Sequence, residues 1–441
     1  MPMTKHRTTH RKPTRAHEPY LTALVANVDG EIIDLEGYAA VGMDGPVLAP
    51  LTTRTTRKMP HGSEFMFLPD RRPVVYDLAS GTLVTVMENP FAPGEPVFPL
   101  AAFNSPGYVI TQLCAYEENG TAALLPLFSY GAVGWHADRF YTAVQQVDKE
   151  RRQDLRLMPM DKVQGGVRLF QKEMPDNRLR QHLEKCALQY GCPAAKNFFI
   201  GRCEAPLPTS PECNARCLGC LSLQKDSPIP CSQDRIAFMP EPEEIAEVAL
   251  AHFARVPEGV VSFGQGCEGD PLLAVKSIAP AIRLIRRQTD RGTINLNTNA
   301  SLPDTVAALF DAGLDSMRVS INSLREACYN AYFRPRGYTF ADIMHSIDNA
   351  LDRGGRVALN YLNLPGFTDT PEEYEALAAF LSERPIHLIQ WRNLNYDPLG
   401  YYAVMDAVAA HSRPMGVTTL LKKIRKRFPE LKHGYFNPAL K

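Results

Sequence analysis

The sequence has no net charge and no long apolar run. Its 48 basic residues balance 48 acidic ones across 441 positions. A chain built chiefly to hold nucleic acid carries a basic surplus, because neutralising phosphates supplies most of that affinity. None is present, so nucleic acid is disfavoured and a small-molecule or peptide substrate is expected. No stretch is apolar for long enough to cross a bilayer as a helix. The first segment, MPMTKHRTTHRKPTRAHEPY, holds five Lys or Arg and one acid, but no apolar core of signal-peptide length follows it. Residues 1–20 are read as a disordered basic tail. The chain is expected in the cytoplasm, with no membrane partner. There is no internal repeat and no low-complexity segment. A hydrophobic content of 45% and a charged content of 22% are ordinary for a globular protein, and the length suggests two domains.

Cysteine, by contrast, is plentiful. Seven of the ten lie between Cys186 and Cys231. In a reducing compartment such crowding points to metal rather than to disulfides. Cys114 and Cys328 stand alone and read as small buried apolar residues.

From 21 to 147 the chain shows short runs rich in Val, Tyr, Phe and Thr, broken at Asp29-Gly30, Asp44-Gly45 and Asn119-Gly120. This predicts a β-rich N-terminal module. Residues 148–203 are charged and helical in rhythm, a connector that carries cysteines. From 204 to 400 strands and helices alternate, giving about six βα units. Alternation of this kind implies a parallel sheet. Six units are too few for a closed eight-stranded barrel, so the expected fold is α/β, a partial (β/α)6 parallel barrel preceded by the β-rich module. Residues 401–441 are expected to form a C-terminal helical extension.

The stretch that carries chemistry is Cys213-Asn214-Ala215-Arg216-Cys217-Leu218-Gly219-Cys220. Three thiolates on one short loop can converge on one metal centre. Structural zinc wants a fourth ligand, which Cys231 could supply. A cubane cluster normally takes four cysteines, so three leave one iron open. This spacing, just after a first strand, resembles the signature of the radical S-adenosylmethionine superfamily. The resemblance implies a 4Fe–4S cluster on Cys213, Cys217 and Cys220, with S-adenosylmethionine chelated at the open iron and reductively cleaved to a 5′-deoxyadenosyl radical. It implies an enzyme, with no catalytic residue assigned beyond the cluster ligands. It implies an electron donor such as a flavodoxin or ferredoxin. The substrate is not legible. A non-catalytic zinc or iron–sulfur protein is the alternative.

The resemblance extends to the ends of the later strands. Gly264 to Pro271 is similar to the family's Gly-Gly-Glu-Pro motif, with Gly266, Glu268 and Pro271 matching, although Cys267 and Gly269-Asp270 interrupt it. Gly266, Glu268, Asn299, Ser320 and Asn322 are the implied cofactor contacts. Strand alternation puts Arg318, Ser320 and Asn322 on one face. The turn Leu362 to Asp369 is similar to one that supports the adenine. Gln390, Arg392 and Asn395 are candidates for substrate recognition. Family members commonly carry an aromatic residue where this chain has Gly219. Cys186, Cys192, Cys203 and Cys231 are either buried and incidental or the ligands of a second cluster or a zinc ion. The basic run Lys422 to Arg427 reads as a solvated helix face.

Overall fold

A computed structural model describes residues 19–224 and 229–440. Most of the basic tail, residues 1–18, lies outside the described residues.

The parallel sheet forms from segments whose composition leaves little alternative. Strand β1 is Glu204–Pro206, β2 Val260–Phe263, β3 Thr293–Thr298, β4 Ser316–Ile321, β5 Arg356–Asn363, β6 Leu388–Asn393 and β7 Lys432–Gly434. They pair in that order, each parallel to the last. In β5 the burial alternates strictly, with Val357, Leu359, Tyr361 and Asn363 fully packed. That is the period of a strand with one face against helices and the other toward an interior space.

The intervening helices begin where capping chemistry says they should. Pro303 opens Pro303–Asp311 and Pro371 opens Pro371–Glu383, each in the first turn where proline loses no hydrogen bond. Thr339 and Asp342 form a reciprocal capping box at Phe340–Asp352. The basic run falls on Val417–Arg427, whose Leu420, Leu421 and Ile424 are buried while the charges face outward.

The sheet has one strand more than the six counted from the sequence. After two helices in the region expected to be wholly helical, Lys432–Gly434 returns to pair with Leu388–Gln390. Three residues with no apolar alternation give no strand signal; the partner's open edge recruits them.

Residues 22–146 form antiparallel sheets, one of twelve strands and one of two. They are not a separate body. One apolar cluster runs from Val41, Met43 and Leu113 through the connector helices to the barrel. Polar groups pin the seam. Asn363 donates to the Ile110 carbonyl at 3.0 Å, while Asn393 accepts from the Ile110 amide at 2.9 Å and donates to the Tyr108 carbonyl at 3.0 Å. Arg71 reaches Asp397 at 3.0 Å, both fully buried, and Asp397 also accepts from the Leu125 amide.

The tip of an N-terminal hairpin, Asp44-Gly45, meets the turn after β5 so closely that a Cβ on Gly366 would overlap Gly45. Two carboxyls face each other there. Burial, then the charge of Asp369, pushes Asp44 up to about 8. Asp44 Oδ1 and Asp369 Oδ2 have no hydrogen-bond donor, and a proton shared between the carboxyls satisfies both.

A carboxyl raised in this way keeps a proton that the unfolded chain gives up above about pH 4, so its stabilising proton is lost as pH rises toward 8. Asp44→Asn, which supplies a donor at every pH, is expected to melt above the wild type by a margin that widens from pH 5 to pH 8. A constant or shrinking margin in thermal melts across that range would refute the shared proton.

Candidate active site

The cysteine loop is held in place by the glycine turn that follows β2. The Gly269 amide donates to the Ser210 carbonyl at 2.6 Å, and the Asp270 amide donates to the Glu212 carbonyl at 2.8 Å. The approach needs glycine. A Cβ at Gly269 would run into the Glu212 carbonyl, and one at Gly264, whose φ is +76°, would run into that of Asn297.

Two buried carboxylates finish the clamp. Glu268 accepts from the Thr209 amide at 2.7 Å, the Ser210 amide at 2.9 Å and the Gln265 amide at 2.7 Å. Burial pushes it up to about 7 against the pull of those amides. Asp270 accepts from Thr298 Oγ1 at 2.8 Å and from the Asn299 amide at 2.7 Å, tying the turn to the end of β3. On its other flank the loop donates from Arg216 and Leu218 to the carbonyls of Phe333 and Tyr332. Asn299 donates to Asn214 at 2.8 Å.

Cys213 and Cys217 line a cavity of about 520 Å³ inside the half-barrel. Cys217 and Cys220 line a second space of about 570 Å³ on the outer side of the same loop. Burial pushes the Cys213 thiol up to about 12 and pushes the Cys217 thiol up as well. Buried thiols held protonated in this way become ligands when a metal displaces the proton. The three sulfurs interact pairwise, yet they are not drawn together as tightly as a mononuclear site demands. The Ala215 amide lies 3.4 Å from Cys213 Sγ and Arg235 Nη2 lies 3.6 Å from Cys220 Sγ. Hydrogen bonds to sulfur are what an anionic iron–sulfur cluster uses. The donor set fits such a cluster. Cys231 is exposed and accepts from the Gln224 amide at 3.2 Å.

Of the five residues implied as cofactor contacts, Gly266, Asn299 and Ser320 line the cavity. Glu268 and Asn322 do not. The Glu268 carboxylate is committed to the clamp. Asn322 lies one residue beyond β4, where strand alternation no longer applies, and its amide donates to the Cys328 carbonyl and to Tyr401. Arg392 and Asn395 line the cavity, whereas Gln390 is buried behind it, between Arg318 and Asn437. Of the stretch Leu362 to Asp369 only Leu362, within β5, lines the cavity, and Gly366 in the turn that follows packs against Asp44-Gly45 of the N-terminal hairpin.

Several wall residues gave no sequence signal. Tyr332 is one, and it explains Gly219. A Cβ at 219 would sit 2.8 Å from the Asn395 carbonyl and 3.0 Å from the Tyr332 hydroxyl. Tyr332 stands on the helix Glu326–Phe333 beside the loop, and its ring lines the cavity. Phe103, Asn104 and Ser129 of the N-terminal module and Tyr435, Phe436 and Asn437 complete the wall. Two guanidiniums, Arg318 and Arg392, also line it, each with a buried Nε lacking a hydrogen-bond acceptor. Burial, then the charge of Arg392, pushes Arg318 down to about 9.

The four flanking cysteines do not assemble as a set. Cys203 sits just before β1, its carbonyl 3.4 Å from His252 Nε2, and Cys231 lies by Gln224. Cys186 instead approaches His182 and Cys267. A contact between residues 81 positions apart has no spacing signature.

Residues 207–381 match the family profile described as the radical SAM superfamily. Among solved structures, the chain is similar at 15% identity to a radical SAM methyltransferase from Sphaerobacter thermophilus, with a TM-score of 0.38, covering 54% of this chain and 67% of that one. It is similar at 14% to native anSMEcpe with bound AdoMet, with a TM-score of 0.37 and coverage of 51% and 61%. It is similar at 15% to methylornithine synthase, with a TM-score of 0.37 and coverage of 64% and 78%. The chain thus spans about two thirds or less of the first two of these.

Replacing Gly269 by Ala forces the glycine turn away from Glu212. A loss of about 1–3 kcal/mol is expected, as for overpacked sites generally, together with lower iron and sulfide content after anaerobic reconstitution. Wild-type iron loading in a stable Gly269→Ala chain would show that the clamp does not position the cysteine loop.

Proposed function

We propose that this chain, whose residues 207–381 match the radical SAM superfamily profile, is an enzyme that cleaves S-adenosylmethionine reductively and acts on a small-molecule or peptide substrate bearing an anionic group. The observation that carries the proposal is the position of Cys213 and Cys217 on the wall of a cavity inside the half-barrel that two arginines also line. Cys213, Cys217 and Cys220 would hold a 4Fe–4S cluster, which would supply the electron for that cleavage.

The rest follows from the chain's own residues. Ser320, whose hydroxyl accepts from Asn360 at 3.3 Å, and Asn360, whose Oδ1 has no partner, offer hydroxyl and amide groups to a polar ligand, and Gly266 lets backbone come close to it. Arg318 and Arg392 place two positive charges in the wall. The nearby carboxylate of Glu204 offsets Arg318 only in part. A carboxylate or phosphate on the ligand would complete their hydrogen bonds, and charge-assisted bonds of this type are the strong ones. Phe103, Tyr332 and Phe436 give the wall its apolar part, against which an uncharged portion of a ligand can pack.

The outer space beside Cys217 and Cys220 is lined by Arg216, Arg235, Arg334 and Arg336. Such a face suits an acidic electron donor of the flavodoxin or ferredoxin kind, because opposite charge steers docking. No helix among the described residues is long and apolar enough to cross a membrane. A reducing cytoplasm is the compartment that suits the exposed and half-buried thiols.

Anaerobic reconstitution with iron and sulfide, followed by reduction in the presence of S-adenosylmethionine, should release 5′-deoxyadenosine. The chain with Cys213, Cys217 and Cys220 all replaced by Ala should bind no cluster and release none. A fully loaded wild-type cluster that yields no 5′-deoxyadenosine would sink the proposal.

A further inference from the structure

Behind the clamp, a residue that the family resemblance leaves without a role meets the helical connector. His182 and Cys186 lie one turn apart on Arg178–Leu188, so their side chains share a face. Cys267, in the glycine turn, comes up against them. His182 Nε2 and Cys186 Sγ are 3.5 Å apart. These two atoms and Cys267 Sγ all lie within 4.8 Å of one another, the only such set of His, Cys, Asp or Glu among the described residues. A fourth thiol is near. The Cys192 amide donates to the Cys186 carbonyl at 2.9 Å, and its sulfur is close enough to interact electrostatically with both other thiols.

The spacing selects the metal chemistry. Tetrahedral zinc, with Zn–S of about 2.3 Å and Zn–N of about 2.0–2.1 Å, sets neighbouring S and N ligands about 3.5 Å apart. The His182–Cys186 edge has that length already. A cubane puts each thiolate on a different iron and needs its ligands further apart. A disulfide between Cys186 and Cys267 would leave the imidazole beside it without purpose. Mixed imidazole and thiolate donors suit a borderline-soft divalent ion.

We propose that His182, Cys186 and Cys267 bind one zinc-type divalent cation, with Cys192 the thiol placed to complete its tetrahedron. Binding exchanges thiol protons for the metal and involves no change of oxidation state. The cation ties the connector helix to the glycine turn, one residue from Glu268, and so stiffens the clamp on the cysteine loop from behind. It is a separate site from the cluster and does not depend on radical chemistry.

The test uses the full chain, prepared anaerobically, with zinc and iron measured separately. About one zinc per chain is expected in the wild type, retained when Cys213, Cys217 and Cys220 are all replaced by Ala. Cys267→Ser and Cys186→Ser should lose it. His182→Cys, which keeps a soft donor in place, should retain it even if the serine variants fold poorly. Cobalt in place of zinc should give intense thiolate charge-transfer bands that Cys267→Ser abolishes. The proposal is overturned by a wild type without zinc after incubation with it, or by full zinc in the serine variants. It is equally overturned by a Cys186–Cys267 disulfide in the anaerobic protein, or by extra iron and sulfide that depend on Cys186 and Cys267. Loss of 5′-deoxyadenosine formation with zinc intact would concern the proposed function and leave this site standing.

Discussion

The contact between the Gly264–Asp270 turn and the cysteine loop governs everything else at the site. Two carboxylates are buried to make it, which is costly unless their oxygens are filled by donors. Here the donors are backbone amides on both sides, from Thr209, Ser210 and Gln265 to Glu268 and from Asn299 to Asp270. A network satisfied in this way is rigid, because loosening any strand end strands a polar group away from water. Through it, β2 and β3 jointly fix the point from which Cys213, Cys217 and Cys220 project.

The N-terminal module acts on the same end of the barrel. Its contacts fall on Asn363, Asp369, Asn393 and Asp397, all at or just past the carboxyl ends of β5 and β6. In open parallel sheets those ends are where ligands bind. The module roofs the later strands there, with Phe103, Asn104 and Ser129 over the cavity, while the cysteine loop covers the earlier ones. The shape of the space is thus decided by two parts of the chain with unrelated sequence patterns.

Much of this was legible in the sequence, for identifiable reasons. The alternating strands and helices of the barrel show because buried parallel strands are short apolar runs and the helices carry caps such as Pro371 and Thr339. The cysteine loop shows because its ligands are near neighbours. What stayed hidden depends on distance through space. Two of the three amides that hold Glu268, those of Thr209 and Ser210, lie about sixty positions earlier. His182 and Cys267 meet across separate elements. Tyr332 fills the space over Gly219 from a helix more than a hundred residues away. The strand Lys432–Gly434 carries no pattern of its own, and β6 makes it a strand.

Asn437 donates to Glu204 across 233 positions and to Ser262 and Asn297, and accepts from Gln390, so one side chain near the end of this sequence bridges four strands from inside the barrel. Contacts of such sequence separation carry the largest loop-closure entropy and set the pace of folding. Asn437 can fill these hydrogen bonds only when all four strands stand in place, so the inner wall of the half-barrel is sealed by the completed sheet and not by any one βα unit.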